Sequence, residues 1–191
     1  MTRLKTRLIT TLLTMAVVPF VHANDQQEAA LSLMALNSGS ANLVNLAPKV
    51  QHISKGVVTE LELDTQKNNS MAYEFNVVDM PNDKQHKIRY SVSQGDLLKH
   101  TSESLTTLGF SELDKEDQHA VLQVTQANFD LLSTLIKLES KYSAKVLEAE
   151  LDSKKGIVFY EVELANSTQG LQKLLINVAN GEEIPVVNRK H

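Results

Sequence analysis

The sequence predicts an α+β fold: two tandem modules, each with one or two helices packed on one face of a 3–4-stranded antiparallel β-meander. Three observations predict it. A stretch of the chain recurs at a nearly constant offset. Within each recurrence, apolar and polar residues alternate with the period of two that marks a sheet buried on one side. Ahead of each lies an apolar stripe of helical period, the cover such a face needs.

Taken in order, residues 1–23 read as a cleavable secretory signal. Arg3, Lys5 and Arg7 give a positive start, residues 8–20 are uncharged and mostly apolar, and Val21-His22-Ala23 offers small residues at the cleavage positions. The run is short for a membrane span of about 20 apolar residues. No cysteine follows it, which excludes lipid attachment there. The working chain is therefore expected to start near Asn24, in the periplasm or outside the cell.

Residues 26–36 predict an N-terminal helix broken at Ser38-Gly39-Ser40. Leu43, Leu46, Ala47, Val50 and Ile53 form a second helical stripe. Pro48 is tolerated if Asn45 caps that helix, and falls in its interior if the helix starts earlier. Three strands follow. Leu61 and Leu63 oppose Glu60, Glu62 and Asp64; Tyr73, Phe75 and Val77 oppose Glu74 and Asn76; Ile88, Tyr90 and Val92 oppose Lys87, Arg89 and Ser91. Turn residues at 66–70 and at Pro81-Asn82-Asp83 separate them, and such short connections imply antiparallel neighbours. The first module is assigned to residues 24–98, a connector to 99–110 and the second module to 111–191.

In the second module, residues 111–117 carry capping residues and acids, and residues 120–124 begin either a separate helix or the one that follows. Leu131, Leu135, Leu138 and Tyr142 recur at i, i+4, i+7 and i+11. The strands then repeat: Leu147, Ala149 and Leu151; Tyr160, Val162 and Leu164; Leu174, Ile176 and Val178. Residues 56–64 match 144–152, Tyr73-Glu74 matches Tyr160-Glu161, Lys87 matches Lys173, and Gly95-Asp96 matches Gly181-Glu182, so the offset runs from 88 through 87 to 86. Asn180-Gly181 signals a tight hairpin leading into a short fourth strand at 183–187, which Pro185 would confine to an edge.

Charge and composition narrow the function. Removing Arg3, Lys5 and Arg7 from 19 Lys plus Arg leaves 16 against 23 Asp plus Glu, a net charge of −7. That balance argues against nucleic acid and against an anionic membrane surface. It is compatible with a basic partner. The absence of cysteine removes disulfides, thiol catalysis and Cys-ligated metal sites. No His-Glu-x-x-His, no Gly-x-Ser-x-Gly and no phosphate-cradling glycine loop occurs, and His52, His86, His100, His119 and His191 stand singly in the sequence. No enzyme activity and no cofactor are expected.

The candidate surface is the pair of acidic rows Glu60, Glu62, Asp64 and Glu148, Glu150, Asp152, each presenting carboxylates on one strand face. Clustered oxygens suit a hard cation. The plainer reading is a solvated outer face balanced by Lys87 and Arg89 on neighbouring strands. Tyr73 and Tyr160 read as core residues.

An N-terminal helix, strands ending in Glu-Leu-Asp, a Tyr-Glu-Val-Glu strand (Tyr160 to Glu163) and a last strand closing on a glycine turn resemble the PepSY domain family, over roughly residues 26–98 and 111–188. Tandem units of this kind also look like those of β-lactamase inhibitory proteins, in which two units make one concave sheet surface. The resemblance implies modulation or inhibition of a peptidase, or of another envelope protein, and carries no catalytic residues. The function expected is thus an exported, non-catalytic binding module that meets a protein partner through its sheet, either across the face or by strand addition at a free edge. A periplasmic small-ligand or divalent-cation sensor is the alternative.

Overall fold

A computed structural model describes residues 23–65, 70–107 and 110–185 of the 191-residue chain. Residues 1–22 of the signal expected at 1–23, most of the first turn (66–69) and the end of the expected last strand (186–187) lie outside the described residues. The rest is an α+β protein in which helices cover one sheet of seven antiparallel strands.

The elements run α1 (Ala23–Ser38), α2 (Leu43–Ile53), β1 (Val57–Thr65), β2 (Met71–Asp79), β3 (Lys84–Ser91), β4 (Leu97–Ser104), the two-residue strands β5 (Thr106–Thr107) and β6 (Phe110–Ser111), α3 (Lys115–Ala127), α4 (Leu131–Tyr142), β7 (Lys145–Lys154), β8 (Ile157–Asn166) and β9 (Gly170–Asn177). Capping chemistry sets the helix boundaries. The Asn42 side chain accepts the Asn45 N–H at 3.0 Å, Asp114 accepts those of Glu116 and Asp117, and Asp130 accepts that of Ser133 at 3.1 Å. Asn42, not Asn45, is therefore the cap of α2, and Pro48 lies inside the helix, withholding the N–H that would reach back one turn. Asn128 turns left-handed at φ 50° and separates α3 from α4 as two helices.

The sheet order is β4-β3-β2-β1-β7-β8-β9. Each half forms a meander, and the two meanders join edge to edge where β1 pairs with β7 in the register Glu60–Glu150, Leu61–Ala149 and Glu62–Glu148. Local features recur at matching places. A bulge interrupts β1–β2 between Val58 and Glu60, and another interrupts β7–β8 between Val146 and Glu148. The Gly95 N–H donates to the Ser91 carbonyl and the Gly181 N–H to that of Asn177, at 2.9 and 2.8 Å, with φ of 71° and 72°. The caps Asn42 and Asp130 and the buried pairs Leu43/Leu131, Ala47/Leu135 and Val50/Leu138 keep the offset of 88 seen in the first strands.

The halves are not held apart. One apolar core runs through both, from Leu46, Phe75 and Ile88 to Leu135, Tyr160 and Leu164, all fully buried. α1 packs on β7, β8 and β9, while α3 packs on β7, β8 and β1, so α1 and α3 each reach strands of the opposite half. The tyrosines cross too. Tyr73 Oη donates to the Val146 carbonyl at 3.1 Å and Tyr160 Oη to the Val58 carbonyl at 2.7 Å, each satisfying backbone at the other half's bulge. Leu63 and Leu151 pack at the margin of this core.

Two sequence expectations change. The connector at 99–110 carries most of β4, which pairs with β3 from Lys84–Ser104 to Tyr90–Leu97. Every residue of β4 except Thr101 is exposed, so the strand lacks the apolar alternation that would announce it. The predicted fourth strand of the second half is reduced, within the described residues, to a bridge between Ile176 and Glu183, with the Ile184 N–H donating to the Leu175 carbonyl at 2.7 Å.

Candidate functional site

Strand alternation puts Leu61 and Ala149 on the core side and their neighbours on the other. Pairing of β1 with β7 then sets the two predicted acidic rows side by side in the middle of the sheet, Glu60 opposite Glu150 and Glu62 opposite Glu148. Asp64 and Asp152 lie further out along their strands. The next strands add Glu74, Glu161 and Glu163 on the same face. Sequence reading did not single these three out as site residues. Their alternation was visible, but which strands would lie beside which was not.

Cations sit on the flanks. Lys87 and Arg89 both pair with Glu74, and Arg89 Nη2 also meets Asp64 Oδ2 at 2.7 Å. On the other side Lys173 bridges Glu163 and, at 3.2 Å, Glu161. The second half has Leu175 where the first has Arg89, so its flank is the less neutralised. At the centre Glu60 accepts the Asn76 amide, while among the described residues Glu62, Glu148 and Glu150 make no ion pair. The charge balance by Lys87 and Arg89 expected from the sequence therefore holds for Glu74 and Asp64 and stops short of the junction.

The ionisation of these groups follows. Partial burial, and then the carboxylates of Glu60, Asp64 and Glu74, push the Glu62 carboxyl above its usual range. Glu148 rises through burial and then Glu163, Glu150 and Glu62; Glu150 rises through burial and then Glu60, Asp152 and Glu161. Burial acts the same way on Glu74, but hydrogen bonds from Lys87 and Arg89 outweigh it and hold that carboxyl below the usual range. The Lys173 ammonium is held above its ordinary value, first by its hydrogen bond to Glu163. The centre of the face is thus a strip of mutually repelling, under-neutralised carboxylates between a border neutralised by Lys87 and Arg89 and one where Lys173 alone serves two acids.

Among the described residues no three carboxylate or imidazole groups gather closely enough to hold a metal ion. The extended strands space the acids in rows along the sheet instead of folding them round a point. Tyr73 and Tyr160 are buried, as expected. The histidines are not all single: His86 and His100, from β3 and β4, stack at 5.3 Å with Nδ1 of the first 3.1 Å from Nε2 of the second. Fourteen residues separate them, and only the β3–β4 pairing brings them together. His191 lies outside the described residues. No helix among the described residues is long and apolar enough to cross a membrane.

No protein-family model matches the chain, and no curated protein matches it. Among solved structures it is similar to a candidate lipoprotein of Clostridium difficile 630, with a TM-score of 0.37 and 17% identity over 74% of this chain and 87% of that one.

Proposed function

We propose that this chain is an exported, non-catalytic binding module of the PepSY type, each half being one such unit, and that it engages a protein partner through the open face of its sheet. One observation carries the reading. Four carboxylates meet in like-charged cross-strand pairs at the middle of the sheet, Glu60 with Glu150 and Glu62 with Glu148, and the cations Lys87 and Lys173 pair with acids on the flanks. Like charges directly opposite one another destabilise a sheet. A partner presenting lysines or arginines would relieve that repulsion on docking. The face is extended and built from both halves, which suits occlusion of a protein surface and gives no enclosed site for chemistry. The PepSY resemblance makes a peptidase the first partner class to try, and the signal read from the sequence at 1–23 supports an encounter in the periplasm or outside the cell. The divalent-cation alternative gains no support from the spread-out acids.

The test is a native pull-down from envelope extract with immobilised mature protein, run beside Glu62→Lys/Glu150→Lys. The proposal expects a partner with a basic surface, retained at low salt, released as salt rises and not retained by the double variant. Failure to retain any protein, or equal retention by the charge-reversed variant, would overturn it.

A further inference from the structure

We infer that two copies of this chain pair through β4, antiparallel and centred on Thr101, joining their sheets into one. The two ends of the sheet are not alike. At the β9 end the returning segment covers the strand near Ile176, through the Glu183 bridge and the Ile184 N–H. At the other end β4 has β3 on one side and, among the described residues, nothing on the other. It is eight residues long, regular from Lys99 to Ser104, and exposed at every position but Thr101. Such an edge offers a row of unpaired backbone groups to another strand.

Charge selects the occupant. Apart from the histidine, the charged residues of β4 are Lys99 and Glu103, two positions either side of Thr101. An antiparallel pair about a two-fold axis at Thr101 sets Lys99 of each copy against Glu103 of the other, twice by symmetry. Centring on His100 would put Lys99 against Thr101 and imidazole against imidazole; centring on Ser102 would put Glu103 against Thr101. Only the Thr101 register is self-complementary. Lys99 also needs an acid. Its neighbour on β3 is Arg89, a like charge already engaged with Glu74 and Asp64, and neither Lys99 nor Glu103 makes an ion pair within the described residues. In the same register Leu98, about half exposed, comes to lie beside Ser104 of the other copy. Lys99, Thr101 and Glu103 share a face with Arg89 and Lys87, so the paired sheets present their acidic strips on one side.

Because the chain has no cysteine, a single introduced thiol reports this register cleanly. Mature Thr101→Cys is expected to oxidise to a disulfide-linked dimer faster than Lys137→Cys, an exposed site on α4, since opposed strand residues lie within disulfide reach. Sedimentation equilibrium of the cysteine-free chain should show a monomer–dimer equilibrium. Lys99→Glu and Glu103→Lys should each weaken it about tenfold, and the two together should restore it. A wild-type chain that stays monomeric at the highest soluble concentration overturns the inference. So does cross-linking at Thr101→Cys no faster than at Lys137→Cys, or a double variant no better than the singles.

Discussion

Replacing Glu62 by Gln should make this protein more stable at neutral pH while weakening the proposed docking of a basic partner. Glu62 faces Glu148 across the β1–β7 junction and has Glu60, Asp64 and Glu74 around it, with Lys87 opposing them among the described residues. A like-charged cross-strand pair costs roughly 0.2–1 kcal/mol, and surface exposure puts this one near the middle, about 0.5 kcal/mol. Glu150→Gln acts on the other pair, so the double variant should gain about 1 kcal/mol, or ~2–4 °C in Tm for a chain of this size. The pH dependence gives the sign. A carboxyl whose folded pKa is raised binds its proton more readily in the native state than in the unfolded one, so its charged form subtracts from stability. That cost is absent below the ordinary carboxyl range, near pH 4, and appears as pH rises through the raised value. Urea unfolding followed by circular dichroism at pH 7 and at about pH 4 measures it. The gain should be present at pH 7, shrink with added salt, and vanish at the acid end. A double variant less stable than wild type at pH 7, or equally stabilised at both pH values, would refute the electrostatic reading of the junction.

Two further outcomes test how the halves are joined and how the β4 edge is set. Tyr160→Phe removes the hydroxyl that satisfies the Val58 carbonyl and should cost about 1–3 kcal/mol in urea unfolding, with Tyr73→Phe costing less because its bond to Val146 is longer; a change within noise would mean that water replaces the hydroxyl. Burial and the neighbouring His100 hold the His86 imidazole below its usual range, with Lys84 adding and Asp79 opposing. The native state therefore resists that proton, stability should fall as pH drops below about 6.5, and His100→Gln should raise the His86 midpoint in an NMR titration; an unmoved midpoint would show that the ring stack has no electrostatic consequence.

Much of this architecture is written in short stretches of the chain. The alternation in residues 57–65 and 145–154, the capping residues at 111–117 and the glycine turns at Gly95 and Gly181 depend only on neighbours a few positions away, so they can be read without coordinates. β4 escaped because an edge strand exposed on both faces has no apolar period to display and is held by backbone hydrogen bonds that any residue can make. The His86–His100 stack escaped for a related reason: cross-strand neighbours are set by register, not by spacing in the chain.

The sequence by itself determined the six alternating strands of the two repeats, their repetition and which of their residues turn inward, because those follow from periodicity and local hydrogen bonding. It also determined that the strands carry rows of acids. Only the tertiary structure decided that β1 and β7 are neighbours, that Tyr73 and Tyr160 each reach into the opposite half, and that Glu60 and Glu62 stand against Glu150 and Glu148. Those pairings join residues as far as 102 positions apart. Their energy comes from closing two half-covered sheets over one core, a gain that no local pattern records.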